Sequence, residues 1–205
     1  MGEALDIVRT GRKFDQVLEG ARSIFLAVGF EGASVDDIAR EAGVSKATLY
    51  SYFPDKRLLF SEVARTECVR MADRLEAMID EAHPVREVLT ISATQIVTFL
   101  TSDFAQQVFR ICVAEKPRFP ELAQAFYAAG PETGRQRIAA YLQKAVDRGE
   151  LQIDDIQMAA EQFSELCKVR LWNRAVFGIQ AEFTKDEIAA VAEGAVDMFL
   201  ARYGV

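Results

Sequence analysis

Residues 34–53, SVDDIAREAGVSKATLYSYF, decide the fold of this chain. Gly43 stands where a sharp turn is needed, between two short segments whose N-caps are predicted at Ser34 and Ser45, with Asp37 completing a capping box at the first. Small or apolar residues occupy the positions where the two helices must bury a shared side: Ile38, Ala39, Ala42, Val44 and Leu49. Because these constraints are independent, their joint spacing predicts a helix-turn-helix.

The segments on both sides of this motif also show helical periodicity, so the sequence predicts an all-α protein. A first helix ends at Gly29, a residue suited to a left-handed C-terminal conformation. Asp55 predicts the N-cap of a long connector helix over residues 56–82. Further helices are expected at about 85–102, 104–115, 119–129, 133–148, 154–177 and 184–203, the last with a capping box from Thr184 to Glu187.

This pattern predicts two domains. Residues 1–55 are expected to form a three-helix helix-turn-helix domain. Residues 56–205 are expected to contain the connector helix and a C-terminal helical domain. The helices near 155–177 and 184–203 have long apolar stripes and small residues, which allow a neighbouring helix to pack closely against them.

The charge distribution bears on the choice of partner. The net charge of -7 disfavours a protein that coats nucleic acid indiscriminately. Residues 1–60 hold 8 Lys/Arg and 9 Asp/Glu, a net of -1, whereas residues 61–205 hold 16 and 22, a net of -6. Most of the acidic excess therefore lies outside the helix-turn-helix, and a small basic face there remains compatible with the total.

Cysteine usage and hydropathy narrow the class of protein further. Cys68, Cys112 and Cys167 show no CxxC spacing, so neither a disulfide framework nor a metal site is expected, and a redox role for them stays open. Nothing near the start reads as a signal peptide, and no apolar run reaches membrane-spanning length. We expect a cytoplasmic protein with no membrane partner and no cofactor.

The second helix of the motif has the side chains of a DNA reader. Rotation by about 100° per residue turns Leu49 and Phe53 inward and leaves hydroxyls and small side chains outside. The N-terminal end of such a helix reaches base edges in the major groove, where Lys46 can donate to guanine and Thr48 can contact a base or a thymine methyl. The predicted DNA-binding residues are Ser34, Ser45, Lys46, Ala47, Thr48, Tyr50, Tyr52 and Lys56.

Three members of this set are expected to hold phosphates rather than bases. Ser34 lies at a helix N-terminus, Tyr52 can donate its hydroxyl, and Lys56 supplies a cation. A basic arm of Arg9, Arg12 and Lys13 would lie beside them.

Two other classes of function compete with DNA binding. The helix pair could serve protein contact in a scaffold or small-molecule-binding protein, because short helix pairs are common in helical proteins. An enzyme is disfavoured, since the sequence has one histidine, no phosphate-cradling glycine loop and no nucleophile with a credible base.

Residues 24–60, IFLAVGFEGASVDDIAREAGVSKATLYSYFPDKRLLF, closely resemble the N-terminal signature of TetR/AcrR-family transcriptional regulators. The resemblance includes Gly29, Gly32, Tyr50 and Lys56 and covers under a fifth of the chain. RICVAEKPRFPELAQAFYAAG, residues 110–130, together with RGELQIDDIQMAAEQF, is similar to AefR-like C-terminal domains. Asp36 departs from the family pattern, in which a basic residue at this place touches DNA, and its presence shifts the expected base contacts to residues 45–50.

The resemblance implies an all-α homodimer that binds a double-stranded operator of two-fold character and releases it on binding a small-molecule inducer, with residues 56–205 as the domain for ligand binding and dimerisation. The apolar stripes of the helices near 155–177 and 184–203 would then form a four-helix homodimer interface. Repression is the family's usual mode. The inducer would occupy a pocket whose mostly apolar lining favours a hydrophobic or planar molecule, with an ordinary core role as the alternative for each lining residue. The candidate lining is Phe99, Phe104, Phe109, Cys112, Phe126, Tyr127, Phe163, Cys167 and Trp172.

Overall fold

The computed structural model describes residues 11–78 and 83–205, and within them the chain forms eleven α-helices. The predicted all-α class is confirmed. An isolated antiparallel bridge between Leu151 and Gly204 ties the start of one helical segment to the end of the chain. The helices are α1 Arg12–Gly32, α2 Val35–Glu41, α3 Lys46–Tyr52, α4 Lys56–Met78, α5 Val85–Leu100, α6 Asp103–Glu115, α7 Pro120–Tyr127, α8 Thr133–Asp147, α9 Ile156–Leu166, α10 Leu171–Val176 and α11 Lys185–Tyr203.

The chain divides into two compact units. The first contains the described part of residues 1–67 together with residues 111–126, and the second contains the described part of 68–110 together with 127–205. The chain passes from one unit to the other within α4, α6 and α7. The predicted domain boundary between residues 55 and 56 stays a prediction. The first compact unit continues into α4, where Leu59, Phe60 and Val63 are buried.

The helix boundaries around the turn follow local chemistry. Ser45 caps α3 by accepting a hydrogen bond from the backbone N–H of Thr48, and Gly43 takes the positive φ of 63° that the turn requires. Gly29 has φ 73° and interrupts the helical backbone of α1, as its left-handed tendency predicts, although one more helical turn follows it.

The predicted capping box at α2 forms only in part. The Ser34 hydroxyl accepts from the backbone N–H of Asp37 at 3.0 Å, but the Asp37 carboxylate accepts from that hydroxyl and from Arg40. A carboxylate on aspartate is one methylene shorter than on glutamate, which limits its reach back to the N-cap backbone. At α11, where Glu187 occupies the third position, both bonds of the box with Thr184 are present as predicted.

The core of the first unit is aromatic. Phe25, Phe30 and Phe60 form a mutual cluster with ring centroids 5.1 to 5.9 Å apart, and Phe14 stacks on Phe53 at 5.5 Å. These contacts tie α1 to the end of α3 and to the start of α4, and so hold the helix-turn-helix in place.

Gly20 marks a close approach that the sequence pattern did not identify. A Cβ atom there would lie 2.7 Å from the backbone nitrogen of Ala42, so α1 crosses the end of α2 at a distance only glycine permits. Ala39 and Ala42, both buried, occupy α2 and its C-cap as the predicted small residues. The helix-turn-helix therefore rests on α1 through small residues as well as aromatic ones.

The second unit has an aliphatic and aromatic core drawn from α5, α8, α9, α10 and α11. Leu89, Leu142, Phe163, Val196 and Phe199 are all buried there to within 1% exposure. Phe163 and Phe199 meet edge to face at 5.2 Å. This core positions the exposed faces of α9 and α11.

The continuous helix predicted over 154–177 is wrong. The chain forms α9 and α10 with a break between them, where Arg170 has φ 66° and the backbone N–H of Leu171 donates to the carbonyl of Val169 at 2.8 Å. This three-residue γ-turn strains a residue that has a Cβ atom. No glycine or proline marks the break, so the helical periodicity of the sequence does not indicate that the helix ends there.

Pro131 lies between the two helices expected at about 119–129 and 133–148. Residues Ala128–Glu132 form one wide π-helical turn that contains Pro131 and connects α7 to α8. The wider turn accommodates a residue without a backbone N–H, and the Thr133 hydroxyl donates to the Ala128 carbonyl at 3.0 Å. The two predicted helices are therefore separate α-helices joined by a π-helical turn.

Within the described residues, no single helix is both long enough and apolar enough to cross a membrane; α5 and α6, bent by 62°, meet that length and composition only as a pair.

Candidate nucleic-acid interface

The exposed face of α3 contains most of the predicted reading residues. Leu49 and Phe53 are buried at 1% and 0% exposure, as the helical rotation predicts. Four side chains of this helix are exposed to solvent: Lys46, Ala47, Tyr50 and Ser51. The buried pair anchors α3 in the core of the first unit, and the four exposed side chains are accessible to a partner.

A hydroxyl pair organises the N-terminal end of α3. The Ser45 and Thr48 hydroxyls lie 2.9 Å apart, while the Ser45 oxygen also accepts from the Thr48 backbone at 3.1 Å. Thr48 is half-buried, so its hydroxyl is held against the cap and its orientation is restricted. A pre-oriented hydroxyl loses little freedom when it binds.

Both basic residues of the motif are paired with carboxylates of α2. Lys46 forms an ion pair with Asp36, and Arg40 forms one with Asp37. The hydrogen bond from Ser34, followed by that from Arg40, lowers the pKa of Asp37 below its usual range. These exposed pairs make the surface between α2 and α3 close to neutral.

The three predicted phosphate contacts have other partners in the structure. The Ser34 hydroxyl is engaged with Asp37, and the Tyr52 ring packs edge to face on Phe14 at 5.6 Å. Lys56 donates to the carbonyls of Phe30 at 2.8 Å and of Ala33 at 3.0 Å. Its ammonium also lies 4.4 Å from the centre of the Phe30 ring.

The phosphate role of Lys56 stays a prediction, and in this structure its amine closes the C-terminal end of α1. The carbonyls of a last helical turn lack helical partners, and a lysine at that end satisfies them and suits the helix dipole. The basic arm is also revised: Arg12 and Lys13 begin α1, and Arg9 lies outside the described residues.

Arg57 makes a contact with Phe119 that sequence reasoning missed. Its guanidinium pairs with Asp55 and lies 3.3 Å from the centre of the Phe119 ring, within the first unit. The side-chain hydrogen bond between Arg57 and Asp55 raises the pKa of Arg57 and lowers the pKa of Asp55. The start of α4 is thereby tied to the segment between α6 and α7. The sequence separation of 62 residues left no local signal for this contact.

Two family models match the chain. Residues 17–63 match the model described as bacterial regulatory proteins, tetR family. Residues 87–205, more than half of the chain, match the model described as AefR-like transcriptional repressor, C-terminal domain. The chain belongs to the TetR family of transcriptional regulators. Proteins of this family regulate transcription and are not enzymes.

Solved structures of TetR-family proteins resemble the whole described fold. A TetR-family regulator from Mesorhizobium loti is 31% identical, with a TM-score of 0.85 over 95% of this chain and 98% of that one. The flavonoid-responsive regulator FrrA is 35% identical, with a TM-score of 0.70 and the same coverage of 95% and 98%.

Curated relatives match over shorter stretches. The repressor AcnR from Corynebacterium diphtheriae is 35% identical over a 95-residue alignment that covers 43% of this chain. The match spans 50% of the length of AcnR.

In this TetR-family chain, the predicted inducer-pocket residues are divided between the two compact units. Cys112 and Phe126 belong to the first unit. The second contains Phe99, Phe104, Phe109, Tyr127, Phe163, Cys167 and Trp172. Phe109 and Trp172 meet edge to face at 5.0 Å, and Phe163 and Cys167 belong to the hydrophobic core.

The environments of this set differ. Phe99, Phe104, Phe109 and Trp172 are half-buried, whereas Tyr127 is 51% exposed and lies beside the π-helical turn. Burial raises the pKa of Cys112 to about 11 and that of Cys167 to about 12. Both thiols are therefore protonated near neutral pH, which disfavours redox chemistry at them.

An apolar groove lies between α9 and α11 of the second unit, in the region predicted to dimerise. It includes residues of α9 and α11 and the strained Arg170 between α9 and α10. Its lining is Leu166, Val169, Arg170, Ala190, Val191, Gly194, Ala195, Asp197 and Met198. Val169 is 52% exposed and Met198 65%, so large apolar side chains face solvent there.

Proposed function

We propose that this protein is a ligand-responsive transcriptional repressor that binds an operator of two-fold character and releases it when a small hydrophobic molecule binds. The observation that carries the proposal is the capped, exposed face of α3, with Lys46, Ala47 and Tyr50 open to solvent above the buried Leu49. The family match supports the same role, because its N-terminal model covers these residues.

The residues of this face divide into roles. Lys46 donates to the guanine edge, Ala47 lets the backbone approach the groove, and Thr48 offers its methyl or its oriented hydroxyl to a base. Tyr50 and the Tyr52 hydroxyl are placed to meet the flanking backbone. Ser34 and Ser45 contribute by capping α2 and α3, which sets the angle at which the reader enters the groove.

The proposed inducer is hydrophobic or planar and binds in the second unit. The half-buried aromatic residues support this, above all the edge-to-face pair of Phe109 and Trp172. A relative with 35% identity, FrrA, is described as flavonoid-responsive, and a flavonoid is a planar aromatic molecule. Because α4 and α6 continue from one unit into the other, a ligand that displaces them changes the position of the reading helix.

The proposed active form is a homodimer through α9, α10 and α11. The open apolar groove supports it, since exposed side chains such as Val169 and Met198 would be covered by a second copy. A dimer places two copies of α3 about one DNA turn, roughly 34–36 Å, or a multiple of it apart, and this geometry requires a two-fold operator. Met198→Glu is expected to yield a monomer by analytical ultracentrifugation, while the exposed Val113→Glu in the first unit leaves a dimer; a dimeric Met198→Glu protein contradicts this interface.

The experiment that tests the function is selection of bound fragments from the source genome, followed by affinity measurements on the recovered site. Lys46→Ala is expected to lower operator affinity by about 1–3 kcal/mol and to relax the preference at one base position. Lys185→Ala removes one exposed positive charge from the second unit and serves as the matched control. Equal binding by Lys46→Ala and the control contradicts the assignment of α3 as the reader.

A further inference from the structure

The helix-turn-helix has an unusual charge for a DNA-reading motif. Residues 34–53 hold two basic residues, Arg40 and Lys46, and three acidic ones, Asp36, Asp37 and Glu41, so their net charge is -1. Each of the two cations is paired with a carboxylate of α2. The surface that would approach DNA therefore offers a phosphate no unpaired cation from this described segment.

The ion pair of Lys46 and Asp36 is expected to contribute little to folding stability. Both side chains are exposed, at 56% and 61%, and exposed ion pairs contribute little to stability. A carboxylate in the first turn of α2 also suits the helix dipole, but Asp37 already provides one there. Because Asp36 lies beside the first residue of the reading helix, its position favours a role in binding.

An ammonium group has three donors and can serve two partners at once. While one N–H of Lys46 is directed to Asp36, the others remain available to an acceptor on a base edge in front of α3. A phosphate at the side of the groove, in contrast, would draw Lys46 away and leave Asp36 unpaired against anionic DNA. Such an arrangement penalises wrong partners more than the correct one.

We propose that Asp36 is a positioning residue that holds Lys46 as a base reader and denies it to the phosphate backbone. The inference rests on the proposed function, because it assigns sequence discrimination to one residue of the proposed interface. By holding Lys46, Asp36 removes about one phosphate contact from binding to unrelated DNA. The non-specific affinity is thereby lowered, and the ratio of specific to non-specific affinity rises. The departure of this position from a basic residue thus becomes the source of selectivity.

The test compares Asp36→Asn with Glu41→Gln in the full-length protein. Both changes remove one exposed carboxylate from α2, but only Asp36 pairs with Lys46. The probe is a labelled duplex of unrelated sequence, titrated by fluorescence anisotropy between about 50 and about 200 mM salt. Thermal melting of each variant verifies that it is folded.

Asp36→Asn is expected to raise non-specific affinity about fivefold to tenfold and to steepen the dependence of log K on log salt by about one unit, since one more phosphate contact forms. Glu41→Gln is expected to change that affinity by about twofold at most, because only a screened long-range repulsion is removed. In a Lys46→Ala background the effect of Asp36→Asn should disappear, since the two residues act as a unit.

Two results overturn the inference. If Asp36→Asn and Glu41→Gln behave alike, Asp36 acts only as a diffuse charge. If Asp36→Asn weakens the genome-selected site without raising non-specific affinity, Asp36 itself contacts DNA as a base reader. Failure of the proposed function gives a different result, since the unmodified protein would then recover no selected site at all.

Discussion

Lys56 gives the sharpest prediction, because its geometry favours a structural role over the phosphate contact that its place in the sequence predicts. Its ammonium donates to the carbonyls of Phe30 and Ala33 and lies over the Phe30 ring. Lys56→Met keeps the aliphatic stem of the side chain and removes all of these interactions. The expected outcome is a loss of folding stability, with little change in the salt dependence of DNA binding by the folded protein.

The magnitude follows from the contacts. A hydrogen bond to a charged group contributes about 1.5–3 kcal/mol, and a cation over an exposed ring about 0.5–1 kcal/mol. Lys56 is half-buried, so water takes over much of the role of the lost donor, and the net loss is expected to be about 2 kcal/mol rather than the full sum. In a chain of this length, that lowers the melting temperature by roughly 4–8 °C.

The assay combines thermal melting followed by circular dichroism with DNA binding at several salt concentrations. Lys185→Met, an exposed lysine of α11, is the control for the loss of one positive charge. The structural assignment is refuted if Lys56→Met has the melting temperature of the unmodified protein and its DNA affinity depends less steeply on salt, by about one unit of slope. Lys56 would then be a phosphate contact.

Three further predictions follow from local geometry. Gly20→Ala is expected to destabilise the protein by about 1–3 kcal/mol in a denaturation experiment, because its Cβ meets backbone at 2.7 Å, whereas Gly134→Ala, which meets nothing within 4 Å, is expected to be neutral or slightly stabilising; equal effects would contradict the close crossing. Cys112 and Cys167, with pKa values raised to about 11 and about 12, are expected to resist a thiol reagent at pH 8 and to react after unfolding; prompt labelling of the folded protein would show that they are accessible. Thr184→Ala removes the capping box of α11 and is expected to cost about 1 kcal/mol of unfolding free energy, with Thr184→Ser as the conservative control that retains it.

The parts of the fold that sequence reasoning predicted depend on short-range rules. Ser45 caps α3 because a hydroxyl can accept from a backbone N–H three residues on, and Gly43 turns because glycine adopts positive φ without strain. The burial of Leu49 and Phe53 follows from the helical period alone. Each of these features depends on residues within one or two helical turns, so the local sequence is enough to predict it.

The features that sequence reasoning missed depend on contacts between distant residues. Gly20 must be small only because α2 crosses it, and the amine of Lys56 binds carbonyls 23 and 26 residues earlier in the chain. Arg170 breaks a helix that its neighbours would continue, and no local residue preference explains the positive φ it adopts. For the candidate interface, periodicity identified which side chains face outward but could not assign the partners of Lys46 and Lys56.

The near-neutral reading surface also bears on how the proposed repressor could be released. When little affinity comes from unpaired cations, each copy of α3 holds DNA weakly by itself, and tight binding requires both copies of a dimer to bind at once. The second contact is then intramolecular, and a ligand that changes the separation of the two helices removes an advantage of about 10²- to 10⁴-fold. A strongly basic motif would retain much of its affinity through phosphates after such a change. Under the proposed function, the pairing of Lys46 with Asp36 would therefore serve release as well as selectivity, since it would keep non-specific attraction from masking the loss of the second reading helix.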